Sequence, residues 1–147
     1  MKTYTTKHVQ ETQELARTIA KQKEQFQVIT LQGDLGSGKT TFTQGFAQGL
    51  GITQAIISPT FIIIRTYMLP DASKSRKKFL YHVDLYRIEH TDEIEEIGLF
   101  DIMQDTQNIV VIEWPEKLGD LLPEKHLALS FHPIDESTRE IIVEEKL

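Results

Sequence analysis

A mixed α/β domain, with a mostly parallel central sheet flanked by helices, is the fold class this 147-residue sequence predicts. Three observations predict it. Phe26 to Leu31 is a short run rich in β-branched residues that ends at a glycine cluster, and Thr40 to Leu50, beyond the cluster, has helical character. Asn108 to Glu113 is a continuous apolar run closed by a carboxylate, the pattern of a strand buried on both faces of a parallel sheet. Leu127, Leu129 and Phe131 alternate with Ala128 and Ser130, and Glu140 to Glu144 is apolar at its centre, which predicts two antiparallel strands at the end.

The remaining elements follow in order. Leu15, Ala16, Ile19 and Ala20 recur at helical spacing, so residues 8–23 read as an amphipathic helix. The helix after the glycine cluster has its stop in Gly49 and Gly51, because glycine adopts the left-handed terminal conformation without steric cost. Thr60 to Tyr67 and Lys78 to Asp84 read as two strands of a hairpin joined by the polar stretch Pro70 to Lys77. Thr91 to Gly98 opens on a capping residue and two carboxylates and closes on glycine, a short helix.

With no repeat, low-complexity tract or linker-like shift, residues 1–147 are expected to form one domain, large enough to bury a core without staples. There are no cysteines, so neither disulfides nor thiolate-bound metal enter. The N-terminal residues lack a secretory apolar stretch, and no run approaches the ~20 apolar residues of a membrane span, so a cytoplasmic protein without membrane contact is expected. A net charge of −6 disfavours direct nucleic-acid binding. Lys74, Arg76, Lys77 and Lys78 form the one dense basic cluster, which a solvated hairpin tip explains more simply than a partner contact. His82 and the other four histidines lack metal-ligand spacing and are read as structural, with no zinc assigned.

Gly33-Asp34-Leu35-Gly36-Ser37-Gly38-Lys39-Thr40 satisfies G-x-x-x-x-G-K-[ST] in full, between a predicted strand and a predicted helix. Its four constrained positions would coincide by accident in roughly 1 of 200 chains of this length, which favours a phosphate loop over a plain glycine turn. Gly36 and Gly38 let the main chain turn so that successive N–H groups converge on phosphate oxygens, and the new helix points its positive end at the same place. Lys39 would reach the β and γ phosphates of ATP, Thr40 would offer its hydroxyl to Mg²⁺, and Thr41 is a further phosphate contact.

Such a loop needs an acidic residue at the end of a buried strand to hold Mg²⁺ and place the attacking water. Glu113 follows the purely aliphatic run and is favoured for the metal; Asp84 closes a more mixed strand and competes with it. Either could be a solvated strand-end carboxylate. Trp114 could stack on a base at the mouth of the site or serve as a core residue. Ser58-Pro59-Thr60 stands where a hydroxyl could sense the γ-phosphate, although turn chemistry explains it as well.

Together with Gly33 to Thr41, the blocks Ser58-Pro59-Thr60-Phe61, Tyr81-His82-Val83-Asp84-Leu85-Tyr86-Arg87 and Ile112-Glu113-Trp114-Pro115 strongly resemble the TsaE family, bacterial ATPases of tRNA threonylcarbamoyladenosine biosynthesis. The resemblance implies a P-loop fold with a mixed sheet, Mg-ATP as ligand, Thr40 with Glu113 at the metal, and functional roles for Asp84 and Thr60. It further implies two partner proteins, TsaB and TsaD, that act on tRNA, so that tRNA is met only through them. A small-molecule kinase and a nucleotide-gated interaction module are the competing readings; Arg65 and Arg87 lie in no lid-like insertion, and no Asn-Lys-x-Asp stretch points to guanine.

Overall fold

A computed structural model of the chain describes residues 1–59, 63–70 and 77–147. Its strands are β1 (Lys2–Thr6), β2 (Val28–Gln32), β3 (Ile64–Met68), β4 (Phe79–Asp84), β5 (Asn108–Glu113), β6 (His126–Pro133) and β7 (Arg139–Lys146). Its α-helices are α1 (Val9–Gln22), α2 (Lys39–Gly49), α3 (Thr91–Glu96) and α4 (Leu99–Gln104), and a 3-10 helix spans Pro115–Leu121. The strands form one sheet in the order β1-β7-β6-β2-β5-β4-β3. Parallel pairing joins β6, β2, β5 and β4, while β7 and β3 run against their neighbours.

Two apolar layers explain this arrangement. Ile109 and Val111 of β5 point to one face with Ile29 and Leu31 of β2 and Leu127, Leu129 and Phe131 of β6, where α1 and α2 cover them. Val110 and Ile112 point to the other, against Val83, Ile94, Leu99 and Met103. A strand that must serve both layers can carry no polar interior, which is why the run from Ile109 is aliphatic throughout. The helices α1 and α2 meet through glycine. A Cβ on Gly45 would lie 2.4 Å from the carbonyl oxygen of Gln13, so the two backbones touch at a distance no side chain allows.

The predicted hairpin is present, with Arg65 opposite His82 and Tyr67 opposite Leu80. Residues 60–62 and 71–76 lie outside the described residues, and with them Thr60, Lys74 and Arg76. Lys77 donates to the carbonyl of Thr106 at 2.7 Å. Three elements go beyond the expectation: β1, α4 and the 3-10 helix. Lys2–Thr6 is an edge strand paired with β7, and its polar Thr-rich sequence carries little apolar signal. Gly98, at φ 74°, ends one helical segment and caps α4, so the stop that glycine marks is also a start.

Candidate functional site

The loop from Gly33 to Gly38 leaves the end of β2 and enters α2 at Lys39. Gly36 and Gly38 take φ values of 77° and 106°, a region in which any other residue would be strained. A Cβ on Gly33 would stand 2.7 Å from Ser37 Oγ and 3.0 Å from the carbonyl oxygen of Phe131, so this glycine permits close packing of the loop against β6. Within the loop, the Ser37 N–H donates to the carbonyl of Asp34 at 3.1 Å, and the N–H of Phe42 donates to that of Gly38 at 2.9 Å.

Leu35, Gly36, Gly38, Lys39, Thr40, Thr41, Asp84, Glu113 and Trp114 line one cavity of about 250 Å³, together with Ser58 and Arg139. Residues far apart in the chain meet here because β2, β4 and β5 are parallel and end at the same edge. The two competing carboxylates turn out to be neighbours: Asp84 and Glu113 are register partners, and the Leu31 end of β2 pairs with Glu113 on its other side. Gly33, Asp34 and Ser37 belong to the same loop but do not line the cavity. Thr60 lies outside the described residues.

Lys39 is almost fully buried. Its ammonium donates to the carbonyl of Gly33 at 2.5 Å and sits 4.2 Å from the centroid of the Trp114 ring. Burial holds its pKa below the ordinary lysine value, while the charges of Glu113, Asp84, Glu116 and Asp34 pull it back up. Trp114 has φ 60° and ψ 52°, a left-handed conformation that costs a bulky residue on the order of 1–3 kcal/mol. The bend turns its ring towards Lys39 and to within 5.0 Å of the Tyr86 ring. Trp114 thus lines the cavity while also packing on the second apolar layer.

The donor set is oxygen: the Thr40 hydroxyl and two carboxylates beside a lysine, which is the chemistry a hard divalent cation and a polyphosphate select. Among the described residues, no three His, Cys, Asp or Glu side chains are grouped to hold a metal by themselves.

Two residues were missed in the sequence. Arg139, at the start of β7, donates from Nε to the carbonyl of Ser37 at 3.1 Å and from Nη2 to that of Gly36 at 3.3 Å. It also donates to the carbonyls of Asp135 and Thr138, tying the β6–β7 hairpin to the phosphate loop. A second cavity of about 280 Å³ lies on its other side, sharing Gly38, Thr41 and Arg139 with the first. No local pattern around Thr138-Arg139-Glu140 signals this contact, which spans 102 residues of chain. The other is His82, read as structural: it is fully buried, yet its Nε2 lies 2.6 Å from Glu113 Oε2.

Residues 6–141 match the family described as Threonylcarbamoyl adenosine biosynthesis protein TsaE. The chain is 41% identical over 135 residues to the tRNA threonylcarbamoyladenosine biosynthesis protein TsaE of Bacillus subtilis, covering 90% of this chain and 78% of that one. It is 34% identical to the protein of the same name from Treponema pallidum, covering 91% of this chain and 93% of that one. The crystal structure of Bacillus subtilis YdiB superposes with a TM-score of 0.72 at 31% identity, over 99% of this chain and 86% of that one. The chain carries a P-loop fold and belongs to the TsaE family.

Proposed function

We propose that this protein binds and hydrolyses Mg-ATP as the TsaE subunit of tRNA threonylcarbamoyladenosine biosynthesis, working as one cytoplasmic domain beside TsaB and TsaD homologues and meeting tRNA only through them. The names of its relatives support the pathway. The observation that carries the chemistry is the convergence of Lys39, Thr40, Asp84 and Glu113 on a single cavity at the head of α2.

Each residue has a role in this reading. The Gly36 to Thr41 backbone and the N-terminus of α2 cradle the phosphates. Lys39 pairs with the β and γ oxygens, exchanging its bond to the Gly33 carbonyl for one to phosphate. Thr40 and Glu113 would hold the magnesium ion, which would supply charge neutralisation at the transferring phosphoryl group. Asp84, beside Glu113, is the second carboxylate able to place the attacking water. Arg139 binds the carbonyls of Gly36 and Ser37, which steadies the loop around the ligand. The cavity beyond Arg139 gives the nucleoside end, and its adenine, room to extend from the anchored phosphates. Trp114 closes the phosphate side. Thr60 enters this reading through its place in the sequence and the family resemblance.

The test is ATP turnover by the protein alone and with TsaB and TsaD homologues, with and without Mg²⁺, beside the Lys39→Ala variant and a metabolite-phosphorylation control. Magnesium-dependent turnover that Lys39→Ala abolishes is the expected result. Absence of measurable purine nucleotide binding by the folded protein at saturating Mg²⁺ would end this reading, and labelling of a metabolite would replace it with a kinase.

A further inference from the structure

We propose that His82 is a positioning residue for Glu113, holding one carboxylate oxygen so that the other is presented to the magnesium–phosphate cavity; this rests on the functional reading above. His82 lies on β4 two residues before Asp84, so both side chains share one face of the sheet with Glu113, the register partner of Asp84. Glu113 is 4% exposed and His82 wholly enclosed. A carboxyl group so deeply placed needs hydrogen-bond partners in place of water, and the 2.6 Å contact between His82 Nε2 and Oε2 supplies one.

The two ring nitrogens of His82 have different surroundings. Nδ1 is buried and, among the described residues, has no hydrogen-bond partner. Nε2 is the ring nitrogen that is engaged, and its partner is Glu113 Oε2.

His82 does not line the cavity, whereas Glu113 does. The imidazole consequently acts through the carboxylate and not on the ligand. Fixing Oε2 removes rotation of the carboxylate plane and leaves Oε1 to serve the ion or its water. Hydrogen bonds of this kind, one step behind a metal ligand, change metal affinity or activity by about 10- to 100-fold when removed.

The experiment compares His82→Leu, His82→Gln and His82→Asn with the wild type, measuring kcat for ATP, the Mg²⁺ concentration that half-saturates turnover, and the Kd for ADP without Mg²⁺. The Gln amide nitrogen reaches about as far as Nε2, and the Asn amide does not. Loss of about 10-fold or more in kcat or Mg²⁺ dependence in the Leu and Asn variants is expected, with metal-free ADP binding nearly unchanged and Gln recovering most of the loss. A structural role alone would lower thermal stability in the Leu variant without separating Gln from Asn. Should Leu fail to fold, the Gln–Asn pair decides. Equal turnover and Mg²⁺ dependence in Gln and Asn, with an active wild type, overturns the proposal by itself; a wild type that binds no Mg-nucleotide overturns it together with the functional reading.

Discussion

Replacing Gly45 by alanine tests whether close backbone contact between α1 and α2 holds the phosphate loop in place. The new Cβ would lie 2.4 Å, 2.6 Å and 2.9 Å from the carbonyl oxygen, Cα and carbonyl carbon of Gln13. Ordinary carbon contacts are about 3.5–4.0 Å, so the helices must part by roughly 1 Å. All three atoms are main chain, and none can rotate aside. Overpacking of this kind costs about 1–3 kcal/mol, and the better helix propensity of alanine returns about 1 kcal/mol. A backbone clash belongs at the upper end, so a net loss of about 2 kcal/mol is expected, or a fall of roughly 4–8 °C in Tm for a chain of this size. Urea unfolding measures the first quantity and calorimetry the second. Because α2 begins with Lys39 and Thr40, nucleotide affinity should fall in the same variant. A protein as stable as the wild type, or stabilised by the propensity gain, would refute the close-contact account.

Arg139→Ala should raise the Kd for Mg-nucleotide about 10-fold, near 1.4 kcal/mol, by freeing the carbonyls of Gly36 and Ser37; Arg139→Lys should recover little, since one ammonium cannot span both. Calorimetric titration giving wild-type affinity in the alanine variant would remove Arg139 from the site. Asp135 accepts the N–H groups of Thr138 at 2.8 Å and Ser137 at 3.0 Å, which hold its carboxyl below the usual range. Its contribution to stability is therefore present above the ordinary carboxylate value of about 3.9 and is lost as pH falls through the lower folded value. The Tm difference between wild type and Asp135→Ala should shrink between about pH 6 and about pH 3; a constant difference would contradict this. Trp114 is the only tryptophan, so intrinsic fluorescence reports on it directly. Its emission should change when Mg-ATP fills the site, and an unchanged spectrum at saturation would move Trp114 away from the ligand.

The parts of this molecule legible in its sequence are those whose cause is local. The β2–loop–α2 unit could be read because glycine spacing, a strand before it and a helix after it are properties of a single stretch. The buried strand β5 could be read because serving two apolar layers forces an aliphatic run. Asp84 and Glu113 could be ranked only as competitors, since their adjacency depends on β4 lying parallel to β5, a pairing that no local pattern encodes. His82 and Arg139 escaped for the same reason: a buried histidine looks structural until its neighbour across the sheet is known, and an arginine at a strand start looks like surface. The edge strand β1 escaped because a polar strand paired on one side needs no apolar period.

The neighbours of β2 set the order in which the site can be assembled during synthesis. This strand is held on one side by residues 110–113 and on the other by residues 127–130, and the arginine that steadies its loop comes later still, at 139. The ribosome therefore releases the glycine-rich segment long before either strand that flanks β2 exists. Loop closure over such separations is slow compared with helix or hairpin formation. A nascent chain halted near residue 120 would hold the complete signature motif and still be unable to retain a nucleotide, and competence would come as a step when the final hairpin emerges from the exit tunnel.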